Sequence, residues 1–178
     1  MILGKSGTGK TTLLHLLAGL IQAEQGEVLV GDTDLRKLNQ RDLDLFRGEH
    51  VGIVFQTAHF VQSLSVIDNL VMPLYLTGKK IDTGYAQSLL DRLNIGHHAK
   101  SKTGNLSIGE KQRLSIARAI INKPQVILAD EPTSALDDEN AQEVIKLLQE
   151  EAQNTGAALI IVTHDNRLKS QFNHQLIL

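Results

Sequence analysis

The chain has 178 residues, 42% hydrophobic and 21% charged, an ordinary globular balance that excludes a collagen, a coiled coil or a disordered tail as a description of the whole. Its 18 Lys and Arg against 20 Asp and Glu leave a net charge of −2, which supplies no general basic field for a polyanion, so no nucleic-acid partner is expected. With no cysteine, disulfide scaffolds and Cys-ligated zinc or iron–sulfur centres are excluded, and a reducing, cytoplasmic compartment fits.

Met1–Leu3 opens the chain as a short apolar strand candidate. No signal peptide is readable in it, and no later apolar run approaches the roughly 20 residues of a spanning helix. The strand leads directly into Gly4-Lys5-Ser6-Gly7-Thr8-Gly9-Lys10-Thr11, which fits G-x-x-x-x-G-K-[ST] in full, and then into a helical pattern over Thr12–Leu20. Glycines at this spacing let backbone N–H groups turn inward onto phosphate oxygens, and the helix N-terminus adds positive potential. Lys10 would bridge the β- and γ-phosphates, and the Thr11 hydroxyl would ligate Mg²⁺. The bland alternative, a Gly-rich turn that only caps a helix, is weakened by the strand–loop–helix setting.

Glu27–Val30 and Val51–Phe55 are the next strand candidates, the latter followed by Gln56. From there to Pro124 the β signal gives way to helical segments near Val66–Leu76, Thr83–Asn94 and Ile108–Asn122, a helical insertion in an α/β core. Ser107 and Glu110 form an S-x-x-E capping box for the third segment. The same turn, with Gly109, is also suited to an anion brought by another chain, so both readings stand. Val126–Ala129 is an apolar strand that ends in Asp130-Glu131. At the carboxyl edge of a parallel sheet, Asp130 would hold Mg²⁺ through water and Glu131 would polarise an attacking water. Asp-Glu-Pro as a plain loop opening is the competing reading.

Ala141, Val144, Ile145, Leu148 and Ala152 mark one face of a helix over Asp138–Asn154, stopped by Gly156. Ala157–Thr163 and Gln175–Leu178 complete the strand set, so the fold expected is α/β with a mostly parallel sheet. Both ends read as clipped, since the first strand has three residues and the last has no helix after it. That arrangement would leave the phosphate-loop strand short of backbone partners, an edge prone to association.

These motifs, in this order, resemble those of ABC-type ATPases, the nucleotide-binding subunits of ATP-binding-cassette transporters. Gly4–Thr11 resembles Walker A, Gln56 the Q-loop glutamine, Leu106–Glu110 the signature, Ala129–Thr133 Walker B, Ser134–Asp137 the D-loop and His164 the H-loop. The resemblance implies a P-loop NTPase (RecA-like) core over residues 1–58 and 123–178, with a helical subdomain over 59–122. It implies ATP and Mg²⁺ as ligands, the nucleotide contacted by Gly4, Lys5, Ser6, Gly7, Thr8, Gly9, Lys10, Thr11 and Thr12. Thr11, Gln56 and Asp130 would serve the metal, and Glu131, His164 and Gln56 the reaction. It further implies a head-to-tail dimer, here expected to be of two identical subunits although the sequence also admits a heterodimer, in which Ser107, Gly109, Glu110 and Asp137 reach the partner's nucleotide. An integral-membrane transporter subunit would hold the dimer at the cytoplasmic face of the inner membrane. Within the family, Gly26–Gly31, Arg47–Gln56 and Ser63–Leu74 are most similar to the lipoprotein-releasing, macrolide-export and cell-division branch.

Two departures stand out. The signature usually reads Leu-Ser-Gly-Gly-Gln, and here Ile108 and Glu110 replace a glycine and the glutamine, adding a Cβ and a carboxylate where a nucleotide should approach. The family's adenine-stacking aromatic ahead of Walker A has no counterpart, so binding mainly through phosphates and poor discrimination of ATP from GTP are expected. A non-hydrolysing binding module and a soluble, non-transport ABC ATPase remain as competing readings. His97-His98 reads as a solvated turn with no carboxylate spaced for a metal. His15, His50, His59 and His174 receive no role.

Overall fold

Apolar β-branched runs buried on both faces form the centre of the molecule, and amphipathic helices cover them. The computed structural model describes residues 1–178, the side chain of Asn166 excepted. Strand β1 (Ile2–Leu3) leads to helix α1 (Lys10–Leu17), the short strands β2 (Leu29–Val30) and β3 (Thr33–Asp34), helix α2 (Gln40–His50) and strand β4 (Val51–Val54). Helices α3 (Val66–Leu76), α4 (Thr83–Arg92) and α5 (Ile108–Ile120) follow. Then come β5 (Val126–Asp130), α6 (Asp138–Thr155), β6 (Ala158–Thr163) and β7 (Leu176–Ile177).

One sheet has the order β4-β5-β6-β1-β7, and every pairing in it is parallel. The strand period of two sorts β5 between two cores. Ile127 and Ala129 join a cluster with Leu70, Leu90, Ile116 and Ile145 from α3 to α6. Val126 and Leu128 join Ile2, Leu14, Ala18, Val51 and Val162 on the α1 side. Gly52 shows how closely α5 lies on β4: a Cβ there would fall 2.3 Å from the Ala119 carbonyl oxygen. A side chain at this position would drive strand and helix apart.

The segment between Gln56 and α3 is pinned by buried Asn69, which accepts from the Val61 amide at 2.8 Å and donates to the Val61 and Ser65 carbonyls at 3.1 and 2.9 Å. Arg118 of α5 stacks 4.8 Å over the Phe60 ring and donates to the His59 carbonyl at 2.6 Å. Burial lowers the pKa of its guanidinium from the usual arginine value. The chain beyond the sheet edge is therefore tied to the helical layer at several points.

The structure departs from the sequence reading at three places. Glu27–Val30 does not join the parallel sheet: only Leu29–Val30 is strand, paired antiparallel with Thr33–Asp34 in a separate hairpin. Helix α2 was not expected, because it buries only Leu43 and carries little apolar periodicity. Its one local signal is the Asn39 cap, which accepts from the Asp42 amide at 3.0 Å. Third, β1 is not an edge, since β6 flanks it on one side and β7 on the other. The edge passes to β7, whose Ile177 is 72% exposed.

Candidate functional site

The Gly4–Gly9 loop lies between the end of β1 and the start of α1, at the carboxyl edge of the parallel sheet, where open α/β sheets place ligands. Gly7 and Gly9 sit at φ +83° and +91°, with no atom within 4 Å of where a Cβ would stand. The requirement for glycine there is conformational and not spatial. Gly9 is the N-cap of α1, and no side chain caps the helix, so its first turn is left open toward an anion. Lys10 is buried and donates Nζ to the Lys5 carbonyl at 2.9 Å, which folds its charge back over the loop. Beneath it, the Thr11 hydroxyl donates to Asp130 Oδ1 at 3.3 Å.

Ser6, Gly7, Gly9, Lys10, Thr11 and Thr12 form one wall of a pocket of about 510 Å³, and Gln56, Glu131 and His164 form the other. Gly4, Lys5 and Thr8 face an adjoining pocket that His164 shares. Glu131 reaches this place because its backbone turns to φ +47° directly after β5. A non-glycine residue holds that conformation at a cost of about 1–3 kcal/mol, which the surrounding contacts must offset. Glu131 Oε2 accepts from the Thr163 hydroxyl at 2.9 Å. Oε1 accepts from the His164 amide at 3.1 Å and lies 2.7 Å from its ring Nδ1. Thr163, fully buried at the end of β6, escaped the sequence reading. Its only signal was a hydroxyl at an inward strand position next to His164.

Ser107, Gly109, Glu110 and Asp137 do not line this pocket. Ser107 caps α5 by accepting from the Glu110 amide at 3.3 Å, and Glu110 Oε2 accepts from the Ser107 amide and hydroxyl, each at 2.8 Å. These bonds, the amide first, hold the Glu110 carboxyl below its ordinary pKa. Asp137 caps α6 through Asn140, whose backbone amide is the leading cause of a similarly lowered pKa. The starts of α5 and α6 adjoin, since a Cβ on Gly109 would lie 3.8 Å from Asn140 Oδ1. Ile108 is 63% exposed. A smaller cleft lined by Gln56, Ile108, Gln112, Glu131 and Leu136 links this surface to the pocket.

One reading of the histidines changes here. The carboxylate missing from the local sequence around His97-His98 arrives through space, for Glu110 Oε1 lies 3.0 Å from His98 Nε2. No helix among the described residues is long and apolar enough to cross a membrane.

Comparison with known proteins identifies the family and the fold. A family model described as ABC transporter matches residues 1–134. The chain is 39% identical over 171 residues to the ABC transporter ATP-binding protein YtrE of Bacillus subtilis, covering 95% of this chain and 74% of that one. It is 40% identical over 180 residues to the lipoprotein-releasing system ATP-binding protein LolD of Psychrobacter arcticus, covering 99% and 80%. Among solved structures, the dimeric post-hydrolysis state of the ATP-binding cassette MJ0796 bound to ADP and Pi superposes with a TM-score of 0.88. There the identity is 31%, over 99% of this chain and 79% of that one. The phosphate-loop geometry, the parallel sheet and these likenesses together establish that the chain belongs to the ABC transporter family, as an ATP-binding domain of the P-loop NTPase fold and an ATPase.

Proposed function

We propose that the chain binds Mg-ATP between its own Gly4–Thr12 loop and the Ser107–Glu110 turn of a second copy, head to tail. Hydrolysis in that sandwich powers an integral-membrane transporter subunit at the cytoplasmic face of the membrane. The observation that carries the reading is the split of the site: Lys10, Thr11, Gln56, Glu131 and His164 share one pocket, whereas Ser107, Gly109 and Asp137 lie outside it. A helix N-terminus built for an anion but displaced from its own chain's phosphate loop is suited to a partner's nucleotide.

The open first turn of α1 and the Gly4–Gly9 amides take the phosphates, and Lys10 leaves the Lys5 carbonyl to neutralise the γ-phosphate. The Thr11 hydroxyl, bonded to the Asp130 carboxylate, and the Gln56 amide oxygen across the pocket are hard oxygen ligands, a set that fits Mg²⁺. The ion, when bound, would offset charge that develops on the phosphate oxygens. Glu131 orients the attacking water and takes up its proton on a carboxylate oxygen. Thr163 and the His164 amide fix that carboxylate. With Nδ1 turned to Glu131, the His164 ring, when it carries a proton on both nitrogens, donates Nε2–H to a γ-phosphate oxygen.

Apart from the phosphate pocket, a cleft of about 1070 Å³ between α2 and α3 is lined by Arg41, Leu45, Met72, Pro73, Leu76 and Arg118, among others. Leu76 is 72% exposed there, and a short cytoplasmic segment of the membrane subunit fits this apolar floor with its charged rim. Mg²⁺-dependent ATP hydrolysis measured against protein concentration tests the proposal. The rate should rise faster than linearly and fall by about 10³-fold or more in Glu131→Gln, while ATP binding survives. A linear rate, or one that Glu131→Gln leaves intact, would overturn it.

A further inference from the structure

Away from the phosphate pocket, three metal-ligating side chains converge on the first turn of α5. One ligand atom each from His97, His98 and Glu110 lies within 4.8 Å of the others. We propose that these residues form a binding site for a zinc-class divalent transition metal, joining the turn after α4 to the start of the signature helix.

The donor chemistry is two imidazoles and one carboxylate, a set that suits zinc with a fourth position left for water. Imidazole selects such ions over Mg²⁺ and Ca²⁺. Glu110 is prepared as a one-oxygen ligand. Its Oε2 is held by the Ser107 amide and hydroxyl, while Oε1 points to His98 Nε2 at 3.0 Å. His98 Nδ1 stands 3.5 Å from Ser101 Oγ. Nε2 and Oε1 bond each other when Nε2 carries the proton, and loss of that proton leaves both free to ligate one cation, with Ser101 Oγ placed beside Nδ1.

The framework behind the ligands is fixed. The Gly96–His98 turn follows Leu93 and Ile95, both fully buried. It is closed by the Ile95 amide on the Leu90 carbonyl at 2.9 Å and the Ser101 amide on the His98 carbonyl at 2.8 Å. His97 and His98 have ring centroids 4.2 Å apart, and His97 is the exposed member of the three. Ligand atoms around tetrahedral zinc stand about 3.3 Å apart, so a rotation of the His97 side chain completes the set. The consequence, which rests on the ATP-sandwich reading, concerns charge: a bound cation would neutralise the carboxylate that faces the partner's nucleotide.

Calorimetric titration of Zn²⁺ into the full chain, without nucleotide and in a non-chelating buffer, tests the site independently of that reading. One saturable site per chain is expected. His97→Ala and Glu110→Gln should each weaken it by about tenfold or more, and His59→Ala should not. Because His97 is exposed, its variant keeps the fold, and a far-ultraviolet spectrum verifies this. Absence of a saturable site, or wild-type affinity in His97→Ala and Glu110→Gln, would overturn the proposal. A site that binds zinc in a chain whose hydrolysis rate is linear in concentration would refute the sandwich and leave the metal site standing.

Discussion

Helices α1 and α5 both begin with a glycine-bearing turn at the surface of the same fold, yet their first turns are treated in opposite ways. At α1 the N-cap is Gly9 in the left-handed region, and no side chain satisfies the amides. At α5 the Ser107 hydroxyl and the Glu110 carboxylate form a closed capping box. The first turn is left open to an anion, and in the second the chain supplies its own carboxylate. The difference teaches that suitability for an anion is not a property of the glycine-bearing turn alone. It depends on whether the local sequence already occupies the helix end. In the proposed sandwich, the approach of a partner's phosphate to the α5 turn therefore has to work against Glu110.

The comparison can be sharpened at each end. The largest effect is expected at the open end, where Thr163→Val removes a hydroxyl that fixes Glu131. Turnover should drop about tenfold with ATP affinity unchanged, read as kcat against KM. Equal loss in both would place Thr163 in binding instead. At the closed end, Ser107→Ala should lower unfolding free energy by about 1 kcal/mol, measured by urea denaturation, because it deletes the N-cap. The smallest effect is a gain: Ile108→Gly with Glu110→Gln should raise concentration-dependent hydrolysis a few-fold, by removing a Cβ and a repelling charge. An unchanged rate would mean that the carboxylate is already neutralised or never approaches the nucleotide.

The two ends were also unequally legible in the sequence. Gly4–Thr11 names its own geometry, because the spacing admits few other uses and the positive φ values of Gly7 and Gly9 follow from it. Asp130 and Glu131 were readable as the end of an apolar strand. What could not be read is what arises through space. Thr163 holds Glu131 across 32 residues, and Glu110 meets His98 across 12. The Asn69 and Arg118 ties to the segment before α3 are of the same kind. Helix α2 was hidden for another reason. With one buried residue it lacks the apolar stripe on which a periodicity argument depends. The supposed edge at β1 failed because β7, only two residues long, pairs with β1 and covers it.

The claim that the open and closed ends complete each other in different copies is tested most directly by mixing two disabled chains. Lys10→Ala destroys the α1 end and keeps the α5 end, and Gly109→Asp does the reverse. Each alone should hydrolyse no ATP. Their equimolar mixture should recover about a quarter of the wild-type rate, since half the dimers are mixed and each has one intact sandwich. A mixture as inactive as its parts, or a Gly109→Asp chain active by itself, would contradict the account.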